Sequence, residues 1–72
     1  MTNKDKLEEY IEQAGYKKAF IAKKLGITRY ALILKINNKS EFKASEIDTL
    51  CTLLKIGVKE RMAIFFAKQV DL

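Results

Sequence analysis

Residues 18–37 read KAFIAKKLGITRYALILKIN, and the fold turns on how this stretch divides. Ile21, Ala22 and Leu25 share one helical face with Lys18 at its start, so a helix is expected over roughly 17–24. Gly26 is the residue type that turns the chain in a left-handed conformation at a helix end. Thr28 follows two residues later as a good N-cap, and the next helix is expected over roughly 28–36. Helices joined by so short a turn must meet at a tight angle, with the small Ala22 where they touch. In the second helix Leu32 and Ile36 lie four apart and point inward. Tyr30, Leu34 and Asn37 then fall on the opposite face.

The pattern continues on both sides. Leu7, Tyr10, Ile11 and Ala14 repeat at i, i+3, i+4 and i+7, the stripe of an amphipathic helix over roughly 4–14. Asn3 is its expected N-cap and Gly15 its expected C′ residue. After residue 36 comes a polar loop, NNKSEFK, interrupted by Phe42, a residue expected to plug into the core. Ser45 with Asp48 resembles a weakened capping box. It opens a helix expected over roughly 45–55, with Ile47, Leu50, Cys51 and Leu54 at the same helical spacing and Gly57 as its end. The last helix is expected over roughly 58–69, with Met62, Phe65, Phe66 and Val70 on one side. No segment alternates as a strand would. The expected fold class is all-α: five short helices with short connections, packed on one another within residues 1–72 as a single domain.

Composition supports this reading. The chain has 72 residues, no Pro and three Gly. So short a domain sits near the lower size limit for folding alone. Cys51 is the single cysteine, which excludes a disulfide within the chain, fits a reducing compartment and is expected to be a small buried hydrophobe. A signal-peptide h-region is absent, and the apolar runs are far shorter than the ~20 residues of a membrane span. The expectation is a soluble cytoplasmic protein without a membrane partner.

The net charge is +5, unevenly distributed. Residues 1–16 hold two Lys against four acids, and residues 44–72 are balanced. Residues 17–43 hold Lys17, Lys18, Lys23, Lys24, Arg29, Lys35, Lys39 and Lys43 against Glu41 alone. A basic block that coincides with the two-helix corner is the footprint expected of a polyanion-binding surface.

Catalysis has no support here, and no catalytic residue is assigned. The chain has no His, so the usual general base and metal ligand are missing. Cys51 has neither a His partner nor a second Cys for zinc. No Gly-rich phosphate loop exists. No cofactor, metal or small-molecule ligand is expected. Glu8, Glu9 and Glu12 read as surface charge.

The segment AKKLGITRYAL, residues 22–32, resembles the phage Cro and repressor family of helix-turn-helix DNA-binding domains. Its carrying residues are Ala22, Gly26, Ile27 and Leu32. The later LLKIGVKE resembles the family's turn into a fifth helix, and the likeness spans about residues 5–67. One position departs from the pattern: Lys35 stands where the family has a second inward aliphatic.

The resemblance implies a compact five-helix, lambda-repressor-like fold with the second helix of the motif in the major groove. It places Arg29, Tyr30, Ile33 and Leu34 at the base edges. Arg29 is the best candidate for direct readout, because its planar fork matches the acceptors of guanine. Tyr30 can donate to a base or a phosphate, whereas Ile33 and Leu34 have only apolar contacts to offer. The resemblance also assigns Lys17, Lys18, Thr28, Asn37, Asn38, Lys39 and Lys43 to the phosphates. It implies a partner, double-stranded DNA, and a Cro- or repressor-like transcriptional regulator of phage or prophage type that acts as a homodimer. The apolar excess of residues 62–67 marks Ile64, Phe65 and Phe66 as the candidate subunit surface. The alternative is a protein-interaction module, such as an antirepressor, that keeps the shape without base readout. Ile33 and Leu34 discriminate the two, since burial in a protein contact would block the reading face. Non-specific RNA binding is disfavoured, because no aromatic platform for unpaired bases is present.

Overall fold

The structure, a computed structural model, describes residues 1–67. Its elements are α1 (Lys4–Ala14), α2 (Lys18–Leu25), α3 (Arg29–Ile36), α4 (Ala44–Leu54) and α5 (Val58–Phe65). Among the described residues every regular element is a helix. None of those helices is long and apolar enough to cross a membrane. α2 packs on α3 and α4, while α1 packs on α4 and α5.

The caps lie where local chemistry requires them. The Asn3 side chain accepts from the Lys6 N–H at 3.2 Å, and Gly15 ends α1 at φ +75°. At the central corner Gly26 adopts φ +73°. Its N–H donates to the Lys23 carbonyl at 3.1 Å, and the Ile27 N–H to the Ala22 carbonyl at 3.0 Å. These bonds satisfy carbonyls that the end of α2 would otherwise leave free. The Thr28 hydroxyl accepts from the Ala31 N–H at 3.0 Å and so starts α3. Ala22 is 1 % exposed at this corner.

Each helix contributes one fully enclosed side chain to a common core: Leu7, Ile21, Leu32, Leu50 and Ile64. Burial of a side chain of this kind is worth about 1.5–3 kcal/mol. Ile11, Ile36, Ile47, Cys51, Leu54, Ile56 and Phe65 complete the core. Burial pushes the Cys51 thiol above its ordinary pKa. Phe42 is half-buried and meets Phe65 edge to face, with ring centroids 5.6 Å apart.

The second half of the chain departs from expectation in three places. α4 starts at Ala44, and its cap is made by Glu46 rather than by Ser45 and Asp48: the Glu46 carboxylate accepts from the Lys43 N–H at 2.8 Å. Helix α4 then ends at Leu54, where Lys55 takes the left-handed conformation at φ +58°. Gly57 is extended and serves as the N-cap of α5. The turn comes early because Ile56 points into the core at 7 % exposure. Finally, α5 stops at Phe65, and Met62 and Phe66 are exposed at 58 % and 52 %. Ile64 and Phe65 are core residues, so they cannot form a subunit surface. Residues 66 and 67 follow α5 outside the helix, and the rest of its expected extension to residue 69, with Val70, lies outside the described residues.

Candidate nucleic-acid interface

The surface around the start of α3 is built by the corner just described. Thr28 caps α3, so Arg29 occupies its first turn with the side chain outside the core, and it is exposed. Arg29 and Lys18 border two adjoining hollows. One hollow opens toward the start of α2, where Lys17 and Ala19 line it with Glu8 and Glu12 of α1. The other runs along α3 toward its end, lined by Lys4, Ile33 and Asn37. The two concavities are thus edged by Lys4, Lys17, Lys18 and Arg29, with Glu8 in both and Glu12 in the first.

The charges differ in how free they are. Lys18 donates to Glu8 at 3.0 Å, and both side chains are about one-third exposed at 32 % and 35 %. An ion pair in such a setting is worth little and is open to exchange for a phosphate. Arg29 and Lys17 have no salt-bridge partner among the described residues. Lys17 is the N-cap residue of α2 and no side chain caps that helix. The first N–H groups of α2 therefore point outward without a side-chain acceptor, a polarity that suits anions.

The faces of α3 are now separable. Leu32, Lys35 and Ile36 are inward. Tyr30 is outward, at 71 % exposure. Ile33 and Leu34 are half-buried. Ile33 lies on the Arg29 side, where it lines the second hollow. The Leu34 carbonyl accepts from the Lys39 N–H at 2.8 Å, folding the following loop back on the helix. Asn37, Lys39 and Lys43 are exposed in or beside that loop.

Asn38 is placed differently from its neighbours. It adopts φ +62°, and its side-chain amide is occupied at both ends by the backbone of Thr2. The Thr2 N–H donates to Asn38 Oδ1 at 2.8 Å, and Asn38 Nδ2 donates to the Thr2 carbonyl at 2.9 Å. Asn38 is thus tied to the N-terminal segment, with one N–H of its amide used on Thr2 and the other unpaired among the described residues.

Lys35 takes the inward position three residues after Leu32 and is 9 % exposed. Its ammonium meets Glu46 Oε1 at 2.5 Å. Burial by itself would raise the Glu46 carboxyl. The hydrogen bond from Lys35, the Lys43 N–H and the charges of both lysines outweigh this and hold it below the ordinary carboxylate value. One cation of the basic block is thereby withdrawn from the surface and neutralised. The sequence carried a signal for this pair. An inward Lys on one helix needs a carboxylate opposite it, and Glu46 stands within the first turn of the next helix. The bond between Asn38 and Thr2 joins residues 36 positions apart, and no local pattern announces it.

Among the described residues no cluster of His, Cys, Asp and Glu could hold a metal ion. A family model described as the Cro/C1-type HTH DNA-binding domain matches residues 6–63. No curated protein and no solved structure matches the chain.

Proposed function

The chain belongs to the Cro/C1-type helix-turn-helix DNA-binding domain family, a family of DNA-binding domains rather than enzymes, and from that premise we propose that it is a sequence-specific transcriptional regulator of phage or prophage type. In this reading α3 enters the major groove. The observation that carries it is Arg29: exposed, in the first turn of α3, without a salt-bridge partner among the described residues, and flanked by Lys17 and Lys18. Its fork reads guanine, and the exposed Tyr30, with the half-buried Leu34 one turn further on, serves an adjacent base or methyl group. Ile33 serves at the edge of the contact. Lys17, Lys18 and the free N–H groups of α2 take one stretch of phosphates, with Thr28 at the corner; Asn37, Lys39 and Lys43 take another. Asn38, paired with the Thr2 backbone, acts chiefly by position, with one amide N–H left over.

The regulator binds as a symmetric dimer whose two α3 helices enter successive major grooves about 34 Å apart. With Ile64 and Phe65 in the core, the apolar residues that α5 and its end leave for a second copy are Val58, Met62 and Phe66. Repression follows by occlusion of the promoter.

The test is selection of bound sites from random duplex DNA, followed by titration of the selected site at two salt concentrations. Affinity should fall steeply with salt. Arg29→Ala should weaken the selected site by about 1–3 kcal/mol and relax preference at one base pair. Absence of any duplex binding at low salt overturns the reading and favours a protein-interaction module.

A further inference from the structure

The seven residues that join α3 to α4, residues 37–43, have no helix of their own. They carry Lys39 and Lys43 next to the end of the proposed reading helix. A loop of this kind would ordinarily lose freedom on binding a polyanion, at the expense of affinity. Here two side chains hold it in place beforehand.

The first is Glu46. A single carboxylate oxygen, Oε1, accepts from Lys35 of α3 at 2.5 Å and from the backbone N–H of Lys43 at 2.8 Å. The end of α3 and the start of α4 are thereby fastened to one atom on either side of the loop. Glu46 is 6 % exposed, so water does not compete freely for these bonds.

The second is Asn38, the left-handed residue at the head of the loop. Its amide pairs with both backbone groups of Thr2, much as one strand pairs with another. The N-terminal segment is itself fastened on its other side. The Asn3 N–H donates to the Ile64 carbonyl at 2.6 Å, and the Ala67 N–H to the Met1 carbonyl at 3.1 Å. Asn38 therefore anchors the loop, through Thr2, to the end of α5 and the core beneath it.

We propose that residues 37–43 form a preorganised clamp for the DNA backbone, and that Glu46 and Asn38 are positioning residues that set its shape without touching DNA. The proposal rests on the DNA-binding reading above. Lys39 and Lys43 make the phosphate contacts. Glu46 fixes where Lys43 starts α4, and Asn38 fixes where the chain leaves α3 for Lys39.

Asn38→Gly is the sharpest test, because Gly accepts a φ near +62° without strain while both bonds to Thr2 disappear. Lys35→Met with Glu46→Gln is the second: the neutral amide still accepts from the Lys43 N–H, and only the link to α3 is lost. Each variant of the full chain is checked for folding by circular dichroism and titrated with duplex DNA over a range of salt. Folded variants should bind about tenfold more weakly, with a salt dependence shallower by about one phosphate contact. Thr2→Pro, which removes one of the two bonds, should weaken binding in the same direction but less, and Asn38→Gly on top of it should cost less than it does alone. Wild-type affinity and salt slope in the folded variants would overturn the proposal. So would a full Asn38→Gly effect in a Thr2→Pro chain that binds normally, because Asn38 would then be a direct contact. If the wild-type chain binds no duplex at low salt, the DNA-binding reading itself fails, an outcome visible before any variant is compared.

Discussion

The two ends of α3 are built on different principles. At its start, every device is local: Gly26 turns the chain, Ile27 bonds back to Ala22, and Thr28 caps the helix three residues before Ala31. At its end the backbone also closes locally, with the Asn38 N–H donating to the Lys35 carbonyl and the Lys39 N–H to the Leu34 carbonyl, but the side chains are held by distant partners. Lys35 is held by Glu46 eleven residues away, and Asn38 by Thr2 at a separation of 36. A corner made of neighbours forms as soon as the chain adopts the right dihedral angles. A connection made of distant partners exists only once the other helices are in place. The consequence falls on function. The angle at which α3 leaves α2 is robust, whereas the placement of the loop after it depends on a buried charge and on the N-terminal segment.

Substitutions at each end can break this contrast. Leu32→Ala removes a side chain at 0 % exposure that both ends share, and should have the largest effect, about 3–5 kcal/mol in denaturant unfolding. A domain of this size should then be largely unfolded at physiological temperature. If Leu32→Ala costs under about 1 kcal/mol, α3 is not the centre of the core that its burial indicates.

Glu46→Ala comes next. It leaves the Lys35 ammonium buried without its counter-charge and should cost about 3 kcal/mol at neutral pH. The same pair gives stability a pH dependence of definite sign. Glu46 titrates below its ordinary value of 4.5 in the folded chain. Its contribution is therefore complete above the unfolded-state value and is lost as pH falls through the lowered folded value. Thermal unfolding of the wild type should show this loss on acidification below the ordinary glutamate value, and Glu46→Gln should lack that part. An identical acid dependence in both chains would show that the pair adds nothing to stability.

At the local end the expected effects are smaller. Gly26→Ala meets no atom within 4 Å of the new Cβ, so its cost is that of the left-handed backbone alone at φ +73°, about 1–2 kcal/mol. Thr28→Ala removes one cap bond and should cost about 1 kcal/mol. In a domain of this size that is a fall of about 4–8 °C in the unfolding midpoint. Effects at the two ends of α3 should add, since no residue bonds to both; a large departure from additivity would show that the corner and the loop are coupled through the helix.

Much of the fold was legible because the rules involved are short-ranged. The span of α1, the caps Asn3 and Thr28, the turns at Gly15 and Gly26 and the inward set Ile21, Ala22, Leu32 and Ile36 all follow from spacing and side-chain chemistry within one or two turns. The misreadings share a cause. Gly57 resembles a helix terminator, yet Lys55 accepts the left-handed strain because Ile56 has a place in the core. Met62 resembles a core residue by period, yet α5 is turned so that Ile64 and Phe65 fill the space. Ser45 and Asp48 resemble a cap, yet Glu46 is drawn in by a lysine on another helix. In each case a contact between helices outweighed a local preference worth about 1 kcal/mol or less.

The candidate site divides along the same line. That Arg29 and Tyr30 stand in the first turn of the second helix, beside a basic block, is written in the order of residues, because a cap and a period of 3.6 suffice to place them. That Lys18 is shared with Glu8, that Asn38 is paired with Thr2, and that Lys35 is buried against Glu46 was decided by the tertiary structure. The physical reason is range. Dihedral preference and helical period act over a few residues, whereas whether a given polar group faces water, a phosphate or another side chain is settled only when separate helices meet.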